Sequence, residues 1–144
     1  NTAWNGRLEI INYFNKEILV DCAHNYHAAK ALSNERSGWE NEDKGIYWIL
    51  GVQRQKDISA ILKTLLKKND HLLLVPVPNQ PSWKLKDLSE VEGIDFQKII
   101  EFEKFEFAIK YLSALEKWPI NDPVLTGSIF LVAEFIKFAN KQKY

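Results

Sequence analysis

Polar side chains crowd one short stretch of the chain, residues 19–32, which reads LVDCAHNYHAAKAL. An apolar run over residues 18–20 ends at Asp21, and His24 follows three residues later. A carboxylate at the end of a buried strand can accept a hydrogen bond from a ribose hydroxyl or attract a cation. A histidine at a helix start can donate to an anion or accept from an amine. This stretch therefore predicts a ligand site between a strand and a helix.

Two further segments place polar residues where a predicted strand meets a predicted helix. Residues 51–57 (GVQRQKD) carry Lys56 directly before a helix, and residues 126–128 (TGS) carry Ser128 before another. In open α/β sheets, ligands bind outside the carboxyl ends of the strands, where helix N-termini present N–H groups. We therefore expect these two segments and the Asp21 turn to gather along one edge of a sheet.

Plainer structural roles exist for the same residues. Asp21 and Ser128 could act only as helix caps, and Lys56 could be an ordinary surface lysine. His24 and His27 have the i, i+3 spacing of a metal pair, but the sequence offers no evident third ligand. We therefore predict no metal site on this chain.

The elements that must position these residues alternate between two periodicities. Strands are predicted at residues 8–11, 18–20, 46–50, 71–75 and 123–126, and most are apolar on both faces. Helices are predicted at residues 25–35, from residue 57 onward, at 85–90, from 105 to before Pro119, and after Ser128, while residues 96–102 fit a strand or a short helix. The alternation predicts an α/β fold, a single Rossmann-like domain with a mostly parallel sheet of about six strands and helices on both faces.

Composition narrows the class of protein. Hydrophobic residues make up 46% of the 144 residues and charged residues 26%, which suits one globular domain. Lys+Arg and Asp+Glu number 19 each, so no net field attracts a polyanion and nucleic acid is excluded as a principal partner. The sequence contains no signal segment and no apolar stretch of about 20 residues, so no membrane partner is expected. A single cysteine, Cys22, favours a reducing, cytoplasmic location.

Missing motifs are informative as well. Neither GxxxxGK[ST] nor GxGxxG occurs in the sequence. If the protein uses a nucleotide, the main phosphate cradle belongs to another domain or chain. The chain begins at Asn1 and contains no methionine, so we expect it to be part of a longer protein.

Four motifs, taken in their order along the chain, resemble those of a known family. They are residues 4–9 (WNGRLE), 19–25 (LVDCAHN), 56–58 (KDI) and 125–128 (LTGS). Together they look like the C-terminal domain of folylpolyglutamate synthase/dihydrofolate synthase, a member of the Mur ligase superfamily. The resemblance covers almost the whole chain. It implies that residues 1–144 form a Mur ligase C-terminal domain and that an N-terminal P-loop ATPase domain lies outside this chain.

The activity implied by the resemblance is ATP-dependent ligation of L-glutamate to folate or dihydropteroate. A substrate carboxylate attacks the γ-phosphate of ATP and becomes an acyl phosphate, and the amine of glutamate then displaces phosphate. The ligands for Mg²⁺ are expected on the N-terminal ATPase domain, so this domain alone is expected to be inactive. Two alternatives stay open: the C-terminal domain of a peptidoglycan Mur ligase, and a non-catalytic α/β binding module.

The resemblance also assigns roles to individual residues. Arg7 and Asp21 match positions that contact ATP. His24 and Ser128 match positions on the glutamate and acyl-phosphate side of the cleft. Lys56 is an additional candidate, for charge neutralisation.

Overall fold

A computed structural model of the chain describes residues 8–141, except for the side chains of Glu90 and Phe96. The strands are β1 (Glu9–Tyr13), β2 (Lys16–Val20), β3 (Tyr47–Leu50), β4 (His71–Leu74), β5 (Ile99–Glu101) and β6 (Val124–Thr126). The α-helices are α1 (Tyr26–Arg36), α2 (Ile58–Leu65), α3 (Phe105–Ser113) and α4 (Ile129–Lys141). Short 3-10 helices occupy Glu42–Lys44, Leu85–Glu90 and Phe96–Lys98.

The strands form a six-stranded sheet in the order β1-β2-β6-β3-β4-β5. The β1–β2 pair is antiparallel, and the other neighbouring pairs are parallel. This confirms the predicted α/β fold with a mostly parallel sheet of about six strands. β6 is the last strand in the sequence, yet it lies between β2 and β3. The carboxyl ends of the three strands that precede the candidate segments are therefore neighbours.

Alternating side chains of each strand enter two separate hydrophobic cores. Trp48 and Leu50 belong to the cluster that contains the buried residues of α1 and α2. Ile49, which lies between them in β3, belongs to the cluster formed with α3 and α4. Val124 and Leu125 of β6 divide between the two clusters in the same way. Helices thus cover both faces of the sheet, which is why these strands are apolar on both faces.

Two helices begin where the polar residues of the sequence predicted. The side chain of Asn25 accepts a hydrogen bond from the Ala28 N–H at 2.9 Å, and that of Asp57 accepts from the Ala60 N–H at 3.1 Å. Each bond satisfies an N–H group in the first helical turn that has no partner within the helix. α1 and α2 are therefore fixed directly after the carboxyl-end edge of the sheet.

A buried ion pair lies at the amino ends of β3 and β4, opposite the candidate site, and the sequence did not predict it. The guanidinium of Arg36 donates to both carboxylate oxygens of Asp70, at 2.5 and 2.6 Å. Asp70 also accepts from the Ile46 N–H, the Trp48 indole N–H and the Lys67 N–H, each at 2.9 Å. This network joins α1 to the segments that enter β3 and β4, so it supports the scaffold away from the candidate site.

In two segments the observed secondary structure is more detailed than, or different from, the one predicted from the sequence. Residues 96–102 combine both possibilities, because the 3-10 helix Phe96–Lys98 leads directly into β5. α3 ends at Ser113, so Leu115 lies beyond the helix that was expected to include it. The Ala114 N–H bonds to the carbonyls of both Lys110 and Tyr111, at 3.0 and 3.2 Å, which tightens the last turn.

No helix within residues 8–141 has the length and apolar character needed to span a bilayer.

Candidate functional site

Backbone hydrogen bonds join the ends of β2, β6 and β3 into one continuous edge. The Asp21 N–H donates to the Leu125 carbonyl at 3.2 Å, and the Gly51 N–H donates to the Thr126 carbonyl at 3.2 Å. The turn after β6 therefore lies between the turn after β2 and the turn after β3. The prediction that these three strand ends share one edge of the sheet is confirmed.

Asp21 and His24 are oriented by the turn between β2 and α1. A side-chain oxygen of half-buried Asp21 accepts from the Ala23 N–H at 2.8 Å. The ring of exposed His24 donates from Nδ1 to the Cys22 carbonyl at 2.9 Å, because a carbonyl oxygen can only accept. In the neutral ring this bond makes Nε2 the acceptor. The turn therefore combines a carboxylate with an imidazole whose tautomer is fixed.

Cys22 lies within this turn but has the properties of an apolar side chain. It packs against the core that contains α3 and α4. Burial, together with the nearby charge of Asp21, raises the pKa of the Cys22 thiol to about 11. The thiol is therefore protonated at neutral pH and is a poor nucleophile.

The turn between β6 and α4 brings two glycines into close contact. Gly127 has a φ of +112°, and a Cβ atom at this position would lie 2.3 Å from the Gly51 carbonyl oxygen. Only glycine can adopt this conformation and leave room for the neighbouring strand end. Gly127 therefore permits β6 to end directly against β3.

Ser128 lies next to Gly127 and acts as a helix cap. Its Oγ accepts from the Phe130 N–H at 3.1 Å, and the side chain is 2% exposed. The hydroxyl hydrogen can still donate to another group. The capping role considered from the sequence is therefore present, and it does not use the donor of the hydroxyl.

Thr126, at the end of β6, is fully buried. Within the described part of the chain, its Oγ1 atom has no hydrogen-bond partner. Buried hydroxyl groups are usually paired with protein or with ordered water. Thr126 is thus a polar group at the centre of the candidate edge, between the ends of β2 and β3.

Lys56 lies in the loop between β3 and α2, directly before the cap residue Asp57. Its N–H donates to the Gln53 carbonyl at 3.0 Å, and its own carbonyl accepts from the Ile58 N–H at 3.1 Å. Over residues 8–141, no protein group pairs with the Lys56 ammonium. The lysine therefore brings to the loop that follows β3 a positive charge with no ion-pair partner among these residues.

A cleft of about 500 Å³ lies beside this loop, at the carboxyl ends of β4 and β5. Three charged side chains, one indole ring and three apolar residues line it. Its lining comprises Val75, Pro76, Trp83, Lys84, Glu101, Phe102 and Glu103. The sequence did not predict a role for any of these residues. Trp83 shows no local motif because its partners lie in the loop after β3, almost thirty residues earlier in the sequence.

Two features considered in the sequence analysis remain: the ATP contact of Arg7 and the spacing of His24 and His27. Arg7 lies outside the described residues, so its role in contacting ATP stays a prediction. Within residues 8–141, no three His, Cys, Asp or Glu side chains come together as metal ligands. His27, which has the i, i+3 spacing of a metal pair with His24, packs edge-on against the Tyr26 ring at 5.6 Å.

Comparison with known proteins identifies the family. Residues 7–138 match the sequence family described as "Dihydrofolate synthetase, C-terminal domain". The chain belongs to this family. The match includes all of the candidate site residues, from Arg7 to Ser128, and the resemblance predicted from the four motifs is confirmed.

Individual relatives of this domain are considerably longer than the chain. A probable dihydrofolate synthetase of Schizosaccharomyces pombe is 28% identical over 136 residues, covering 93% of this chain and 30% of the relative. A dihydrofolate synthase/folylpolyglutamate synthase of Buchnera aphidicola from Acyrthosiphon pisum is 30% identical over 135 residues, covering 91% and 31%. The chain thus spans about a third of the length of these relatives.

Solved structures share the fold. The folylpolyglutamate synthase of Thermotoga maritima superposes with a TM-score of 0.77 at 25% identity, covering 96% of this chain and 31% of that one. The folylpolyglutamate synthase of Mycobacterium tuberculosis, complexed with ADP and AMPPCP, superposes with a TM-score of 0.76 at 20% identity, covering 94% and 32%. The chain therefore shares its fold with about a third of each of these folylpolyglutamate synthases.

Proposed function

We propose that this chain is the glutamate-ligating C-terminal domain of an ATP-dependent ligase that acts on folate or dihydropteroate. The supporting observation is the adjacency of the Asp21–His24 turn and the Gly127–Ser128 turn at neighbouring strand ends, in a chain that matches the family over residues 7–138. In this proposal the rest of the ligase is an N-terminal P-loop ATPase domain. The C-terminal domain closes over the nucleotide and holds the incoming amino acid.

The nucleotide side of the site is assigned to Arg7 and Asp21. A carboxylate accepts several hydrogen bonds at once, so the bond from the Ala23 N–H orients Asp21 and is compatible with contacts to ribose hydroxyls. A guanidinium such as that of Arg7 suits phosphate oxygens, which it can bind through two parallel hydrogen bonds. Lys56, which has no ion-pair partner among residues 8–141, contributes positive charge toward the phosphates.

The glutamate side is assigned to His24 and Ser128. Because Nδ1 of His24 donates to the Cys22 carbonyl, Nε2 of the neutral ring can accept from the amine of glutamate. When the amine nitrogen bonds to the acyl carbon and phosphate leaves with its electron pair, one amine proton passes to Nε2. The hydroxyl of Ser128 caps α4 through its oxygen and donates its hydrogen toward a substrate oxygen. These roles would place one proton acceptor and one donor beside the acyl phosphate.

The ligands for Mg²⁺ are assigned to the N-terminal domain. Among residues 8–141 no cluster of carboxylates, histidines or cysteines has the composition of a metal site. When bound there, Mg²⁺ would offset the charge of the phosphates during phosphoryl transfer. The residues of this chain orient the nucleotide and glutamate around that centre.

The decisive experiment uses the complete ligase that contains this domain. Purified protein is incubated with ATP, Mg²⁺ and labelled L-glutamate, with dihydropteroate or a folate as the acceptor. We expect ATP-dependent incorporation of glutamate into at least one pterin. A protein that incorporates label only into a peptidoglycan precursor would reassign the domain to the peptidoglycan ligases, and one with no ligation would favour the binding module. Residues 1–144 alone are the control and are expected to form no product, because phosphoryl transfer needs the other wall of the site.

A further inference from the structure

The loop after β3 is held by a second segment, which follows β4. The Arg54 N–H donates to the Pro81 carbonyl at 2.9 Å, and the Trp83 N–H donates to the Val52 carbonyl at 3.0 Å. Between these bonds, residues 53 and 82 form an isolated antiparallel bridge. The two loops therefore pair through their main chains, although they are not adjacent in sequence.

The indole of Trp83 extends this contact to Lys56. Its Nε1–H donates to the Lys56 carbonyl at 3.0 Å. Because the main-chain N–H of Trp83 binds the Val52 carbonyl, the tryptophan contacts both the beginning and the end of the loop that carries the lysine. The start of that loop is fixed separately by the bond from the Gly51 N–H to β6. Few main-chain positions in this loop remain unconstrained.

Arg54 fixes the orientation of the indole ring from the other side. Its guanidinium carbon lies 3.7 Å from the centre of the Trp83 ring, a stacking distance. The Arg54 Nε atom lies 4.0 Å from a carboxylate oxygen of Asp87, in the 3-10 helix that follows. Arg54 and Asp87 are thus paired with each other, whereas the ammonium of Lys56 is unpaired within residues 8–141.

We propose that Trp83 is a positioning residue, which holds the main chain at Lys56 so that the ammonium is presented to a phosphate-bearing substrate at the edge shared with Asp21. This inference rests on the proposed ligase function. Trp83 does not touch the substrate itself. It acts through Lys56, and the Arg54 stack keeps the indole N–H directed at the Lys56 carbonyl.

The test is a double-mutant cycle in the complete ligase. Trp83→Phe keeps a ring for Arg54 to stack on but removes the indole N–H, and Lys56→Ala removes the charge. We expect each single variant to lower kcat/KM for ATP, Trp83→Phe by about three- to tenfold, the usual effect of one hydrogen bond. In the Lys56→Ala background, Trp83→Phe should have no further effect, because the group it positions is gone. A purely structural role would give the same loss in both backgrounds.

The controls separate this inference from the proposed function. Trp118→Phe is the matched substitution, because the Trp118 indole nitrogen is buried without a hydrogen-bond partner in the described residues, and it should leave kcat/KM unchanged. If Trp83→Phe does not fold, the same cycle with Arg54→Ala decides, since that variant removes the stack and leaves the indole. Unchanged kinetics in Lys56→Ala or Trp83→Phe, or additive losses, would overturn the inference. If the wild-type enzyme does not ligate, the proposed function is overturned. The double-mutant cycle is then evaluated from the dissociation constant of each variant for ADP instead of from kcat/KM.

Discussion

Gly127 lies so close to Gly51 that a Cβ atom at position 127 would stand 2.3 Å from the Gly51 carbonyl oxygen. The obstacle is main chain at a strand end, which cannot rotate away as a side chain can. A φ of +112° adds backbone strain for any other residue. We expect Gly127→Ala to lower the free energy of unfolding by about 3 kcal/mol or more, measured by urea denaturation.

Gly93→Ala is the matched control for that experiment. Gly93 also has a positive φ, +81°, but a Cβ atom there would meet nothing within 4 Å. The substitution should cost only the strain of the left-handed backbone, about 1–2 kcal/mol. Equal losses in the two variants would contradict the close approach of the β6 and β3 ends.

The Arg36–Asp70 pair, at the amino ends of β3 and β4, should contribute strongly to the free energy of unfolding. Asp70→Ala removes the carboxylate that binds the buried Arg36 guanidinium through two hydrogen bonds and leaves only Glu42, 3.4 Å from Nε; it also removes the acceptor for the Trp48 indole. We expect a loss of about 3–5 kcal/mol in the free energy of unfolding, measured by thermal or urea denaturation. Glu134→Ala breaks an exposed ion pair with Lys137 on α4, and it should cost less than about 1 kcal/mol. Similar losses for both variants would be inconsistent with the buried network.

Asp122 should make stability depend on pH in mildly acidic solution. Burial, with a hydrogen bond and charge repulsion from Glu17, raises the pKa of Asp122 to about 6, above its ordinary value of 3.8. Between these values the folded protein holds a proton that the unfolded chain releases, so this carboxyl destabilises the fold as pH rises from about 4 to 6. We expect Asp122→Asn to gain stability relative to wild type over this range and to keep the gain at pH 7.

The pH series is checked by urea denaturation at closely spaced pH values. Asp43→Asn, at an exposed position, is the control for the loss of one negative charge. A difference for Asp122→Asn that is constant with pH would show that the carboxyl titrates normally.

Kinetic variants of the complete ligase should distinguish the two sides of the proposed site. Asp21→Ala should mainly affect the use of ATP, and His24→Ala the use of glutamate, each by about 1.5–3 kcal/mol, or roughly ten- to over a hundred-fold in kcat/KM. Ser128→Ala should combine a kinetic loss for glutamate with a lower melting temperature, since it also removes a cap. Steady-state kinetics with each substrate varied in turn measures these effects.

Asn25→Ala provides the control for capping alone. Asn25 caps α1 from within the same turn and has no assigned substrate contact, so it should lose about 1 kcal/mol of stability with unchanged kinetics. If Asp21→Ala and His24→Ala behave like Asn25→Ala, the site assignment is wrong and the turn has only a structural role.

The sequence predicted the features that show as a local pattern of residue types. It did not predict the contacts between residues that are far apart in the chain. Residues 46–50 are apolar throughout because both faces of β3 are buried, and this signal is visible in the sequence alone. β5 lacks such a signal, since only Ile99 of its three residues is buried, which is why residues 96–102 fitted two structures. The edge shared by Asp21 and Ser128 followed from the rule for parallel strands.

Other features depend on the three-dimensional register. Arg36 and Asp70 are 34 positions apart, and no spacing rule connects an arginine late in one helix to an aspartate before a later strand. The same holds for Trp83 and Lys56, which are 27 positions apart and meet through a main-chain carbonyl. Such a carbonyl leaves no trace in the identity of the residue that carries it.

The central place of β6 has a consequence for the order of folding. β2 and β3 each form hydrogen bonds with β6 rather than with each other, and β6 begins only at Val124. In a growing chain that has emerged from the ribosome only as far as residue 120, the strand that joins β2 to β3 is missing, so a gap separates the β1–β2 hairpin from the β3–β4–β5 layer wherever these form. The edges of that gap are unpaired strands, which are prone to association with other chains. The sheet closes only when the last strand is inserted between two strands made long before it, a late and non-local step in folding.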